Sequence, residues 1–204
     1  METVLSSFLF ALAERMGKTE ENTYVGLAEA ASGISMLIFA LPVGYLADKW
    51  SKAKTVRVGG IFMMLTCVLN MYAVNLGESS KDKDQAVTAF NFLILSMVCW
   101  GAISGIINGP AQAIFADSLP AGLRTEGYTY LFGAYLLSSA VGPGVTLIMF
   151  ASLSSKYEDW TLTELRPVFL VGLGLEIVVC FSLSLSPPSV PFFLLIFILF
   201  SSAL

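Results

Sequence analysis

The chain is dominated by long apolar stretches, each close to the length that a helix needs to cross a lipid bilayer. That length is roughly 20 residues, because a helix rises about 1.5 Å per residue and the hydrocarbon layer is about 30 Å thick. Five such stretches lie at 24–47, 56–76, 87–116, 127–152 and 167–185. Shorter apolar segments lie at 3–16 and 190–204. The sequence therefore predicts an all-α, polytopic transmembrane bundle of about six helices.

The composition and the connections agree with a membrane bundle. Of the 204 residues, 56% are hydrophobic and 13% are charged, against about 25% charged residues in soluble domains. The apolar runs are continuous, whereas the strands of a membrane barrel would alternate. The connections are short and polar, which makes sequence neighbours antiparallel neighbours in a bundle. These connections are predicted at 17–23, 48–55, 77–86, 117–126 and 153–166.

Several functional classes are disfavoured by residue content. The net charge of −4 disfavours binding to nucleic acid, which needs a basic face. The chain has no histidine, and its cysteines, Cys67, Cys99 and Cys180, lie inside apolar runs without metal-ligand spacing. No nucleophile–base pair and no phosphate-binding loop is evident. We therefore predict no enzymatic activity and no cofactor.

Small residues mark predicted helix contacts. Gly101, Gly105 and Gly109 follow one another at four-residue spacing, so they share a helix face that a neighbouring backbone can approach closely. One interpretation is a fixed packing face, and the other is a smooth contact that allows helices to slide or rock. Gly109 precedes Pro110, and Gly142 precedes Pro143, so bends are predicted at both places.

A few polar side chains interrupt the apolar stretches, where burial in lipid is costly. Glu176 lies nine residues after Pro167, roughly 13 Å into its helix, and Glu29 lies near the start of an earlier stretch. Either carboxylate could couple protons or contact a substrate, or it could make a structural hydrogen bond or reach the interface. Asn108 and Gln112 are candidates for a cavity lining or for bonds between helices.

Charge density favours an inner location for the 48–55 connection. In that orientation the inner side carries five bases and the outer side six, so the plain count of bases decides nothing. However, four of the five inner bases fall within the ten residues 48–57. The apolar segment 3–16 has Glu2 and no base before it, which favours a partial first helix over a cleaved signal peptide.

The segment from Gly44 to Lys54 resembles the signature loop of the major facilitator superfamily, which has the form G-x-L-a-D-r-x-G-r-k. It departs at Ser51, where the family usually has Gly, and at Ala53, where the family often has a base. A second segment, from Ala116 to Arg124, resembles the connection between the family's fourth and fifth helices. The positions that match the first motif are Gly44, Leu46, Ala47, Asp48, Lys49 and Lys52.

The resemblance covers roughly residues 3–185 and implies an organisation. Members usually have twelve helices in two halves, with the substrate bound between them. Residues 1–186 would then be an N-terminal half with a partial first helix, and 187–204 an atypical apolar tail, which we expect to arise from a truncated gene model, a splice form or read-through. Asp48 and the nearby bases would lock the inner face, partly against the second half. The charged residues implied in the two inner connections are Asp48, Lys49, Lys52, Arg57, Asp117 and Arg124.

The function implied is secondary active or facilitative transport of a small solute by alternating access, with this chain as one half. The alternative is a non-transporting assembly subunit or an inactive fragment, because half a transporter supplies only one wall of a solute path. The expected partners are the lipid bilayer, an unidentified small solute, and a second half or another copy of the chain. The expected location is a membrane that the chain crosses several times.

Overall fold

The computed structural model describes residues 2–17, 21–80, 82–120, 122–153 and 162–185. These ranges hold six helices that correspond one to one with the predicted apolar segments up to residue 185, which confirms the all-α bundle. The helices are α1 Glu2–Arg15, α2 Glu21–Lys49, α3 Lys52–Ser79, α4 Lys83–Ser118, α5 Arg124–Leu153 and α6 Leu162–Leu185. Within the described residues, length and hydropathy qualify three stretches to cross a membrane: Asn22–Lys49, Lys52–Ser79 and Lys83–Ser118. The predicted tail at 187–204 lies outside the described residues.

The connections are shorter than predicted, most clearly at 48–55. There, α2 continues to Lys49 and α3 begins at Lys52, so only Trp50 and Ser51 lie between the helices. Ser51 has an extended backbone (φ −175°, ψ 139°), and its side chain accepts a hydrogen bond from the Lys54 backbone N–H at 3.2 Å. A serine at this position satisfies one of the unpaired N–H groups that begin every helix. The prediction ended the helices where apolar residues ended, whereas the capping serine sets the true boundary.

Helix α4 is the central element of the bundle and packs extensively against both α2 and α3. Its contact with α2 is a direct approach of the two backbones. A β-carbon on Gly101 would collide with the Ser32 carbonyl, and one on Gly105 would lie 2.6 Å from the Met36 carbonyl oxygen. Among the described residues, no atom outside the local α4 backbone lies within 4 Å of the corresponding position on Gly109. The two helices therefore meet at Gly101 and Gly105 and are apart at Gly109.

Apolar side chains form two buried clusters around α4. The larger cluster joins α1, α3, α4 and α6 and includes Phe8, Leu93 and Phe169, with the Phe8 and Phe169 rings 6.3 Å apart. The smaller cluster joins α3 and α4 nearer the α2–α3 turn, and it contains Met63 and Ile107. Together the clusters hold α4 against its neighbours along most of its length.

Polar groups within the bundle pair across helices. Ser35 Oγ on α2 donates to the Val98 carbonyl on α4 at 2.7 Å. Asn70 of α3 is fully buried, and Ser96 Oγ lies 2.5 Å from Asn70 Oδ1 and 2.8 Å from the Leu93 carbonyl. One hydroxyl carries only one proton, so both contacts are satisfied when the amide is turned and Nδ2 donates to Ser96 Oγ. Such bonds stabilise membrane helix pairs modestly, on average by about 0.6 kcal/mol.

A charged group joins α3 to α6 at the end of the bundle opposite the α2–α3 turn. Arg166 contacts the Glu78 carboxylate at 2.5 Å and donates to Asn75 Oδ1 at 2.7 Å. Glu78 is the more buried partner, with 20% of its side chain exposed. We refer to Arg166, Glu78 and Asn75 as the outer ion pair group.

The α2–α4 contact makes a specific prediction about the three glycines. Gly101→Ala and Gly105→Ala place a methyl group into the α2 backbone, so we expect each to destabilise the bundle by about 1–3 kcal/mol. Gly109→Ala meets no neighbour, so we expect it to be neutral or slightly stabilising, because alanine favours helix by up to about 1 kcal/mol. The measurement is the thermal unfolding midpoint of each purified variant in one detergent. Equal midpoints for all three variants would contradict the contact.

Candidate functional site

The helices α2 and α4 diverge beyond Gly105 and leave a cleft between them. We call the end of the bundle that carries Trp50 and Ser51 the inner end, and the opposite end the outer end. The cleft extends to the inner end, where Asp48 and Lys52 line it, and has a volume of about 330 Å³. It exists because the backbones touch at Gly105 and no side chain fills the space beside Gly109. Its lining residues are Met36, Ala40, Gly44, Ala47, Asp48, Lys52, Ser104, Gly105, Asn108, Gly109, Pro110 and Ala113.

The polar groups of the cleft come from the last turn of α2, the first turn of α3 and the middle of α4. Asp48 and Lys52 lie on either side of the α2–α3 turn, and Ser104 and Asn108 lie one helical turn apart on α4. Asp48 is exposed, and no base in the described part of the chain forms an ion pair with it. The cleft therefore presents a carboxylate that can accept hydrogen bonds or balance a cation.

Lys52 is held by a carboxylate from the far end of α4. Its Nζ donates to Asp117 Oδ2 at 2.5 Å, with 34% of the lysine and 62% of the aspartate side chain exposed. The pair ties the α2–α3 turn to the end of α4.

Helix α5 is attached to the inner end of α4 by an aromatic contact. The Tyr128 and Phe115 rings meet edge to face, with centroids 5.4 Å apart. The Tyr128 hydroxyl donates to the Gln112 carbonyl at 3.2 Å. Gln112 itself is exposed, and Arg124 begins α5 in an exposed position. The second inner connection thus reduces to the few residues between Ser118 and Arg124.

Two other residues of the first motif, and Arg57 after it, lie at the inner end. Leu46 is partly exposed near the end of α2. Lys49 places its Nζ 4.6 Å from the centroid of the Tyr45 ring. Arg57 is exposed on α3. The structure therefore brings Gly44, Ala47, Asp48 and Lys52 to the cleft and leaves Leu46 and Lys49 on the surrounding surface.

The remaining predicted residues do not join this site. Glu29 is exposed in the outer half of α2. Glu176 lies within α6, and its side chain lies outside the described part of the structure. Gly142 and Pro143 lie inside α5, and the helix continues past them to Leu153. Pro110 is buried within α4, which likewise continues to Ser118.

Sequence reasoning placed Lys52 and Asp117 in separate inner connections but did not pair them. It also did not single out Arg166 and Glu78, which lie in the predicted connections 153–166 and 77–86. A signal for both pairs was available in the sequence. In each pair, residues of opposite charge lie at helix ends that the predicted antiparallel arrangement places on the same side of the membrane. Among the described residues, no group of three or more His, Cys, Asp or Glu side chains is arranged to hold a metal ion.

Comparison with known proteins identifies the family. The sequence model described as Major Facilitator Superfamily matches residues 2–185, which include all six helices and the cleft. Neither a curated protein nor a solved structure matches the chain. Members of this family are membrane transporters, and the apolar helices agree with an integral, multi-pass membrane protein. The chain therefore belongs to the Major Facilitator Superfamily.

Proposed function

We propose that this chain forms one wall of a path for a small solute and that transport proceeds by alternating access. The observation that carries the proposal is the cleft at the inner end, with the Asp48 carboxylate at its mouth beside the exposed Lys52–Asp117 pair. Alternating access needs contacts that form in one state and break in the other. Asp48 is available for such a contact with the opposite wall, because no base among the described residues forms an ion pair with its carboxylate.

The proposed inner lock has two parts with different partners. Lys52 and Asp117 hold the α2–α3 turn against α4 within this bundle. Asp48 would accept hydrogen bonds from a facing helix, supplied by a second half or by another copy of the chain. Because Asp48 and Asp117 are both exposed, water can replace either partner, and exposed ion pairs contribute little to stability. Such contacts suit a lock that must open in every cycle.

Solute uptake tests the lock. Membrane vesicles from cells that express the chain are compared with vesicles carrying Asp48→Asn, using a panel of labelled sugars, peptides, organic ions and drugs. We expect saturable uptake of one class and a fall of about tenfold in its initial rate in the variant, which corresponds to a rise of about 1.4 kcal/mol in the activation free energy. Asp84→Asn serves as the matched control, because Asp84 is an exposed aspartate in the first turn of α4, at the outer end. Absence of saturable uptake across the panel would favour the non-transporting alternative.

Thiol labelling tests whether the cleft is open to water at the inner end. In a background without native cysteines, Asn108→Cys should react with a charged thiol reagent at least tenfold faster than Ala111→Cys, because Ala111 is buried in the smaller cluster. Binding of a transported solute should change the Asn108→Cys rate, because alternating access changes the exposure of the inner end. A rate that matches Ala111→Cys would contradict an aqueous cleft.

Glu176 is proposed as the residue that couples transport to protons or contacts the substrate, on the basis of its position well inside α6. Glu176→Gln should abolish proton-coupled uptake while leaving solute exchange measurable, because a neutral amide cannot release a proton. Glu29→Gln is the matched control, since Glu29 is exposed in the outer half of α2. Unchanged coupled uptake in Glu176→Gln would remove this role.

A further inference from the structure

Helix α3 carries a continuous apolar face that points away from the rest of the bundle. The exposed side chains along it alternate by three and four residues, the spacing of one helix face. These side chains are Val58, Ile61, Leu65, Val68 and Tyr72. In a membrane protein such a face contacts lipid chains. Lys54 and Arg57 continue the same helix face at the inner end, and both are exposed.

Two exposed aromatic side chains lie at the same end of the bundle, one in the two-residue turn and one near the end of α2. Trp50 is 66% exposed at the turn itself, and Tyr45 is 62% exposed on the last turns of α2. Lys49 lies over the Tyr45 ring, which holds its ammonium group close to the aromatic surface. Tryptophan and tyrosine concentrate at the level of lipid headgroups, where one end of the ring is apolar and the other is wet. We call Tyr45, Lys49, Trp50, Lys54 and Arg57 the basic–aromatic patch.

The patch has an excess of positive charge. The segment 48–57 contains four bases and one carboxylate. Asp117 forms its ion pair with Lys52. Its negative charge therefore does not neutralise Lys49 or Lys54. Lys54 is held in place by the turn, because its backbone N–H bonds to the Ser51 side chain. The positive charge of this surface is therefore complementary to an anionic group that lies next to an apolar layer.

We propose that the basic–aromatic patch binds the phosphate headgroup of an anionic phospholipid, whose acyl chains lie along the apolar face of α3. Val58 is four residues from Lys54, so the base stands about 6 Å beyond the start of the apolar face. From that position the lysine can lay its aliphatic stem along the apolar surface and keep its ammonium group in the headgroup layer. The continuity of charge, aromatic rings and aliphatic face selects a lipid over a free anion.

Quenching of Trp50 fluorescence tests the proposal directly. Trp100→Phe and Trp160→Phe leave Trp50 as the sole tryptophan. The protein is reconstituted in phosphatidylcholine vesicles that contain rising fractions of brominated phosphatidylglycerol or, in parallel, brominated phosphatidylcholine. We expect phosphatidylglycerol to quench at several-fold lower fractions. Lys49→Gln and Lys54→Gln should each reduce that preference about fivefold, the effect of one base at a charged membrane surface.

The controls separate the possible outcomes. Lys83→Gln removes a base at the start of α4, at the outer end, and should leave the preference unchanged. The lysine variants are exposed, so their unfolding midpoints should match that of the parent. Equal quenching by the two brominated lipids, or a preference that survives both lysine substitutions, would overturn the proposal. Relief of quenching by inorganic phosphate at constant ionic strength would also overturn it, because the site would then bind a free anion.

None of these measurements requires solute transport. Their outcome is therefore independent of whether the proposed function is correct.

Discussion

The close approach of α2 and α4 at Gly101 and Gly105 is the contact on which the rest of the bundle depends. Lipid tails are as apolar as leucine, so membrane helices gain little from hiding apolar side chains from one another. What holds them is dense packing, and packing is densest where two backbones can touch. The absence of a side chain at these two positions lets the Ser32 and Met36 carbonyls come against α4. Any larger residue at either position would push the two backbones apart at that point.

That contact also decides where the bundle opens. The helices meet at Gly105, are already apart at Gly109, and enclose the cleft beyond. Asp117 lies twelve residues after Gly105, about 18 Å further along α4 at the rise of a helix. There it receives Lys52 from the two-residue turn. The glycine contact, the cleft and the Lys52–Asp117 ion pair thus follow one another along α4. A shift of α4 at the glycines would displace both the cleft and the ion pair.

The sequence predicted the helices well because a bilayer demands a minimum apolar length, and the runs at 56–76 and 87–116 meet it plainly. It predicted their ends less well, because Ser51 extends α3 beyond its apolar run through a capping hydrogen bond. Spacing alone placed the three glycines on one face but could not reveal that only two of them touch α2. Likewise, Lys52 and Asp117 stand 65 residues apart, and only the relative depth of two helices brings them together.

The two ion pairs differ in how readily their partners can be exchanged. At the outer end, Arg166 bonds to both Glu78 and Asn75, and the carboxylate is mostly buried. Charge-assisted networks of this kind are strong, and breaking one leaves a partly buried charge without its partner. At the inner end, Lys52 and Asp117 share one contact, and both reach solvent. Water can substitute for either side chain there, so exchanging partners at the inner end costs far less than opening the outer one. If the proposed transport is correct, this asymmetry means that the outer pair keeps α3 and α6 moving as one body while the inner contacts are remade.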